Sequence, residues 1–144
     1  MPAAAVAPAP EPAPADQSVE DQIQALVEQA QALARKARKN EAAAKFREVL
    51  ALEPAHGEAI AFLETYLKQL RKFADLREML QSASRSPNAE QEQRVTWLRE
   101  VAGLSEAQLR DADGAIGAYK AILELDPADE SARGSLKRLL ERGN

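Results

Sequence analysis

The strongest constraint on this chain is a spaced set of three residues that recurs along it: a small or apolar residue, a bulky one four positions later, and then a proline. The three copies are Ala42, Phe46 and Pro54; Leu76, Leu80 and Pro87; and Ala115, Tyr119 and Pro127. Their first members lie 34 and then 39 residues apart. A period of about 34 residues is typical of helical hairpins stacked side by side, so the spacing predicts a helical repeat array.

The third copy, from Asp111 to Pro127, shows why each copy should contain a short helix. Apolar residues recur within it at intervals of three and four, namely Ala115, Ala118, Tyr119, Ile122 and Leu123. This spacing places them on one helix face, which must pack against a neighbouring helix. Asp111 or Asp113 can accept hydrogen bonds from the free backbone N–H groups at its start, and Pro127 ends it.

The same periodicity predicts seven helices, which we interpret as three hairpins and one terminal helix. Their approximate ranges are 18–37, 40–52, 57–70, 73–83, 89–109, 111–127 and 129–142. Ser18 with Asp21 fits a capping box at the first of these helices, and Asn40 is expected to cap the second.

The terminal helix has one apolar stripe and is otherwise charged. The stripe consists of Ala132, Leu136, Leu139 and Leu140. One buried and one solvated face are typical of a helix that closes an open stack. We expect this helix to cover the apolar face left by Ile116, Tyr119 and Leu123, and we expect the isolated chain to be a monomer.

Composition supports an all-α fold and excludes several kinds of chemistry. Apolar residues make up 45% of the 144-residue chain but aromatic residues only 4%, which suits closely packed helices better than strands. Because there is no cysteine and only one histidine, disulfides, thiolate nucleophiles and cysteine- or histidine-based metal clusters are excluded. The net charge of −4 argues against general nucleic-acid binding.

The first 17 residues are rich in alanine and proline, and we assign them to an arm outside the repeat domain at 18–144. Alternating prolines block helix and sheet hydrogen bonds, so this arm should be an extended spacer; a proline-rich ligand for an aromatic groove is the alternative. No secretory signal or membrane-spanning run is present, so the expected location is the cytoplasm.

The repeated set resembles the tetratricopeptide repeat family, whose pattern runs W-x2-L-G-x2-Y, then A-x3-F, then P. The resemblance covers about Ser18 to Asn144. The second halves match best, at Ala42, Phe46 and Pro54 and at Ala115, Tyr119 and Pro127. In the first halves Leu63, Leu67 and Gly103 fall on family positions, but no tryptophan or tyrosine does. The resemblance implies a right-handed α-solenoid of antiparallel helical hairpins.

The resemblance also implies a concave groove lined by the first helices, in which a protein or peptide segment binds without any cofactor. The implied lining residues are Gln24, Gln31, Glu58, Ala61, Phe62, Thr65 and Gln69. Family members that grip a terminal carboxylate place Lys and Asn along this surface. This sequence lacks that set, so a clamp for chaperone tails is not expected.

Residues that could carry catalytic or metal chemistry have simpler structural interpretations. Asp111-Ala-Asp113-Gly114 resembles the start of a calcium loop, but Ile122 stands where the loop needs a bidentate glutamate. His56 follows a proline and is expected to be a connector or a cap. The spacing of Trp97 relative to neighbouring apolar residues favours a place in the core. The sequence therefore predicts neither an enzyme nor a metal protein.

Cations cluster in the turns inside the first two predicted hairpins, and a solenoid would bring these turns to one edge. They are Arg35, Lys36, Arg38, Lys39, Lys68, Arg71 and Lys72.

Three functions remain open for this protein. The leading one is an adaptor that binds a partner segment in the groove. The alternatives are a structural or self-associating module tethered by the arm, and a binder of an acidic surface through the basic turns.

Overall fold

The computed structural model describes residues 15–142, which form seven helices joined by short turns. The helices are α1 (Ala15–Arg35), α2 (Lys39–Leu52), α3 (Gly57–Gln69), α4 (Phe73–Arg85), α5 (Gln91–Ala107), α6 (Ala112–Leu125) and α7 (Glu130–Arg142). Each helix packs mainly against the one before and the one after it. The predicted all-α stack of three hairpins and a terminal helix is therefore confirmed.

The recurring residues of the sequence are the main packing residues of the even-numbered helices. Ala42, Leu76 and Ala115 are completely buried at equivalent places in α2, α4 and α6. The bulky residues four positions later, Phe46, Leu80 and Tyr119, are buried as well. The repeated residues therefore make the same kind of contact three times, each time between an even-numbered helix and its neighbours.

Two of the predicted helix starts are wrong. The helix α1 already begins at Ala15, so Ser18 lies inside it and does not cap it. The helix α2 begins at Lys39 with Arg38 as its N-cap, and no side chain accepts a hydrogen bond there. Asn40 instead accepts a hydrogen bond from the Tyr66 hydroxyl in α3. The predicted arm at 1–17 lies outside the described residues, apart from the helical residues from Ala15 onward.

Buried side chains form two apolar clusters that meet in α3. The N-terminal cluster joins α1, α2 and α3 through residues such as Phe46 and Leu63. The C-terminal cluster runs from α3 to α7 and includes Leu67 and Trp97, which confirms the predicted core position of the tryptophan. Among the described helices only α3 contributes buried residues to both clusters, so it links the two parts of the core.

The turns inside the three hairpins each contain one residue with a left-handed backbone. These residues are Ala37, Arg71 and Arg110, with φ of 61°, 59° and 54°. In the first turn the N–H of Arg38 bonds to the carbonyl of Leu33, and that of Ala37 bonds to Ala34. This pair of bonds is the Schellman motif that ends many helices, usually with glycine at the left-handed position.

A glycine at position 37 should therefore stabilise the protein. The left-handed conformation costs an L-residue about 1 to 2 kcal/mol, which exceeds the extra freedom that glycine gives the unfolded chain. We expect Ala37→Gly to raise the free energy of unfolding by about 0.5 to 1 kcal/mol in a urea titration. As a control, Ala25→Gly at an exposed position within α1 should lower it by about as much. A loss of stability in Ala37→Gly would contradict this description of the turn.

The longer spacing before the third repeat comes mainly from one helix. The helix α5 has 17 residues, whereas its counterpart α3 has 13. The turn after α5, from Gln108 to Asp111, is also one residue longer than the turn from Leu70 to Lys72. The third hairpin therefore gains about one full helical turn in its first helix.

The terminal helix α7 packs on α6 as predicted, although its buried face differs in detail. Ala132 and Leu139 are buried in the C-terminal cluster, and Leu136 is half-buried against it. Leu140, which the sequence pattern placed on the apolar stripe, is 45% exposed. A helix with alternating three- and four-residue spacing cannot bury both neighbouring leucines equally, and Leu139 occupies the inward position.

A polar clamp that was not predicted joins α4 to the third hairpin. Arg77 donates hydrogen bonds to the completely buried Ser105 hydroxyl at 3.0 Å and to the Asp111 carboxylate at 2.8 Å. Asp111 also caps α6, as predicted, by accepting a bond from the Gly114 N–H at 2.9 Å. The Gly114 bond and then Arg77 hold the pKa of Asp111 below its usual value. A side chain at position 114 would meet both partners, because an added Cβ lies 2.6 Å from Asp111 and 2.9 Å from Arg77.

Candidate protein-binding face

Polar side-chain pairs join successive odd-numbered helices across one face of the stack. From α1 to α7 these pairs are Gln31 with Glu58, Lys68 with Glu100, Arg99 with Asp129, and Glu106 with Arg138. The ion pairs have N–O distances of 3.5, 2.5 and 3.0 Å in that order. This face is therefore polar, unlike the apolar contacts between consecutive helices.

The carboxylates at the C-terminal end of this face are stabilised in their charged form. A hydrogen bond from Arg99 and another from the Ala132 N–H hold the pKa of Asp129 below its usual value. Partial burial raises the pKa of Glu106, but hydrogen bonds from Tyr119 and Arg138 outweigh this effect and lower it overall. Both groups stabilise the fold above their unfolded pKa values, and this contribution is lost as the pH falls through their lower folded values. At neutral pH these two carboxylates therefore help to hold α7 against α5.

The seven groove residues inferred from the family resemblance lie on α1 and α3. Gln24 and Gln31 belong to α1, and Gln31 reaches Glu58 at the start of α3. The other four residues lie along α3 at helical spacing: Ala61, Phe62, Thr65 and Gln69. All seven are exposed or half-buried. The five residues on α3 share one side of that helix, because positions three, four and seven residues apart lie on the same helix face.

Phe62 is the most restrained of these residues. Its ring centre lies 4.8 Å from that of buried Phe46 and 6.2 Å from that of Tyr66. Tyr66 is fixed in turn by its hydrogen bond to Asn40. The exposed neighbours Ala61 and Thr65 have short side chains, so an incoming chain can approach α3 closely. The result is a packed aromatic edge beside an open strip on α3 that is formed by Ala61 and Thr65.

An acidic cavity lies next to this strip, between α1 and two of the turns. Its volume is about 690 Å³. The lining residues are Glu20, Ile23, Gln24, Val27, Glu28, Gln31, Glu53, His56 and Asn88. Glu28 and Glu53 accept hydrogen bonds from the side-chain amides of Gln24 and Asn88. Because these donors are neutral, they bring no positive charge to offset the acidic side chains, so the cavity attracts cations.

The seven cations of the predicted basic edge are all exposed, and they lie in or beside the turns α1–α2 and α3–α4. The hydrogen bond between Tyr66 and Asn40 joins the last turns of α3 to the first turn of α2, so it holds the two cationic turns side by side. Arg38 pairs with Glu41 at 2.9 Å, and Lys68 lies near Glu64 and Glu100. Within the described residues the other five cations form no ion pair.

His56 has the structural role expected from the sequence. It is the N-cap of α3, where its Nδ1 accepts a hydrogen bond from the Ala59 N–H at 3.3 Å. Between residues 15 and 142 no group of three or more acidic or histidine side chains is arranged to hold a metal ion. None of the helices in that range combines the length and apolar character needed to cross a membrane.

Comparisons with known proteins identify a similar fold. No protein-family model matches this chain, and no curated protein matches it in sequence. Among solved structures the chain is similar to PcrH, which was crystallised in complex with the chaperone binding region of PopD. The two share 17% identity at a TM-score of 0.53, over 87% of this chain and 96% of PcrH. This similarity supports the helical-repeat fold derived above.

Proposed function

We propose that this chain is a non-enzymatic adaptor of the tetratricopeptide type that binds a segment of another protein. The segment lies across the odd-numbered helices, in the concave groove expected of such a stack. The observation that carries this proposal is the strip on α3, where Ala61 and Thr65 flank the fixed ring of Phe62. The complex of PcrH with a region of PopD supports it, because a chain of similar fold binds a protein segment.

The physical properties of the strip suit a protein segment. A held aromatic ring contributes apolar contact area with little loss of side-chain entropy, and such rings often anchor interfaces. The side-chain amides of Gln24 and Gln69 are exposed and can donate and accept hydrogen bonds along an extended chain.

The acidic cavity beside the strip indicates which side chains the bound segment should carry. Glu20, Glu28 and Glu53 line the neighbouring cavity, so a lysine or arginine of the partner is attracted to it. We therefore infer a segment that places an apolar side chain against Phe62 and a basic side chain in the acidic cavity.

The proposal can be tested by blocking the strip and then capturing partners from the native source. Ala61→Arg with Thr65→Arg adds bulk at two exposed helix positions, where arginine is a good helix former. We expect this variant to keep its thermal midpoint and to lose at least one partner that the unmodified chain captures. The matched control is Ala44→Arg, at an exposed position of the even-numbered helix α2, which should retain that partner.

A crosslinkable residue at position 65 provides a second measurement. It should react with the captured partner, whereas the same residue at position 44 should not. Identical partner sets for the blocked and unmodified chains would contradict groove binding. A concentration-dependent dimer that is abolished by the block would favour the alternative of a self-associating module.

A further inference from the structure

The two cationic turns contain charges that helix stability does not explain. Arg35, Lys36 and Lys68 lie at the C-terminal ends of α1 and α3, where a cation interacts favourably with the helix dipole. The stability of α1 and α3 is enough to explain why cations occur at these three positions.

Arg38, Lys39 and Lys72 lie at the opposite kind of helix end. Arg38 and Lys72 are the N-caps of α2 and α4, and neither helix start receives a side-chain hydrogen bond. A cation at an N-terminus opposes the helix dipole, and an arginine or lysine there replaces the oxygen-bearing residues that cap helices well. The third hairpin shows the favourable solution, since Asp111 occupies the equivalent place and caps α6.

Arg38 and Lys72 therefore oppose the dipoles of α2 and α4 at two equivalent positions, although each also follows the C-terminal end of the preceding helix, where its N–H bonds to the carbonyl of Leu33 or Leu67. Residues that break a local folding rule without a compensating contact are frequently functional. Arg38 has one compensating contact, with Glu41 at 2.9 Å, but both side chains of that pair are more than half exposed. A pair that exposed contributes little to stability.

An apolar residue accompanies the charges. Leu70 lies in the α3–α4 turn beside Arg71 and Lys72, and it is 46% exposed. Arg71 covers the ring of Phe73 at 5.4 Å from the ring centre, so this ring is not free to stack on a nucleobase. The edge thus offers cations and one aliphatic contact.

We propose that the edge formed by the turns at Ala37 and Arg71 binds a short acidic segment of a protein partner, with an apolar side chain of that segment against Leu70. The patch covers only two turns. Glu41, Glu64 and Asp75 lie next to it in the flanking helices, and the third turn places Asp111 beside Arg110, with Asp113 following in α6. A nucleic acid or a bilayer extends beyond the patch and meets these carboxylates, whereas a short peptide segment does not. The segment also differs from the groove ligand, because the acidic cavity beside the groove repels it.

The test uses the whole chain and a synthetic glutamate-rich peptide that contains one leucine. Arg38→Asp with Lys72→Asp removes two cations and supplies two capping carboxylates. We expect the affinity for the peptide to fall about tenfold or more, while the thermal midpoint stays equal or rises. Affinity of the unmodified chain should also fall with added salt. As a control, Lys120→Glu with Lys137→Glu makes the same change in net charge at exposed positions on α6 and α7 and should leave the affinity within about twofold.

A second variant tests the same proposal with a substitution that is not expected to disturb folding. Arg71→Gly removes one cation at a position with φ of 59°, where glycine is favoured, and it should also weaken peptide binding. A peptide with glutamine in place of glutamate should bind poorly to the unmodified chain. Unchanged affinity in both edge variants, or equal loss in the Lys120→Glu/Lys137→Glu control, would refute the proposal. Tighter binding to a thymidine oligonucleotide or to phosphatidylserine vesicles than to the acidic peptide would refute the assignment of a protein partner.

Discussion

Replacing Leu139 by aspartate should detach the terminal helix and make the protein associate. Leu139 is 6% exposed and belongs to the C-terminal cluster, which also contains Tyr119 and Ile122 of α6. A carboxylate at this position has no cation inside the cluster to pair with, so the helix must leave the core or carry a buried charge. Either outcome should lower the free energy of unfolding by about 3 kcal/mol or more.

The neighbouring leucine is a close control for this experiment. Leu140 lies on the same helix but is 45% exposed, so Leu140→Asp should change stability by less than about 0.5 kcal/mol. Urea titration measures the stability difference, and light scattering measures association. With α7 released, the apolar face of α6 should recruit a second molecule, so Leu139→Asp should form dimers or larger species. If the intact chain is a dimer and Leu139→Asp makes it monomeric without loss of helix, α7 is an interface and does not act as a cap.

Truncating Leu63 should separate the two halves of the core. Leu63 is 1% exposed and belongs to the N-terminal cluster, whereas Leu67, one helical turn later in α3, belongs to the C-terminal cluster. Leu63→Ala should cost about 2 to 5 kcal/mol, as large-to-small changes at buried positions do. Because each repeat contacts only its neighbours, the loss should fall mainly on α1 and α2.

Native-state hydrogen exchange distinguishes a local loss from a global one. In Leu63→Ala the amides of α1 and α2 should exchange faster, while those of α5 to α7 should keep most of their protection. Ile122→Ala, at a completely buried position in α6, should be comparably destabilising and should affect the C-terminal half instead. A uniform loss of protection in all seven helices, in either variant, would show that the stack unfolds as one unit.

The fold was largely predictable because its contacts repeat. Ala42, Leu76 and Ala115 occupy one packing position three times, so their spacing contained the number and order of the helices. Details that depend on single turns were not predictable. Glycine usually marks a left-handed turn residue, but Ala37, Arg71 and Arg110 stand there instead, and no sequence signal remains.

Contacts between distant residues limited the prediction of helix starts and of the candidate site. Asn40 fits a cap by residue type, but a tyrosine 26 residues later takes its side-chain oxygen. The pairs across the odd-numbered helices carry a weak signal, since Lys68 and Glu100, like Glu106 and Arg138, are separated by about one repeat. Arg77 and Asp111 carry the same weak signal at a separation of 34 residues, but nothing in the sequence marks the buried Ser105 as the other partner of Arg77.

The extra helical turn in α5 makes the edge of the stack uneven. Both α3 and α5 begin just after a proline turn, so the added length, about 6 Å for four residues, extends α5 at its C-terminal end. Lys68 and Glu100 lie level with each other, yet α3 ends one residue after Lys68 and α5 continues for seven residues after Glu100. The third turn, with Arg110 and Asp111, therefore extends beyond the two cationic turns, and its charges are mixed because Asp111 pairs with Arg77. A ligand bound at the two cationic turns would meet the longer α5 at one end of this edge only, so α5 would limit how far the ligand extends in that direction.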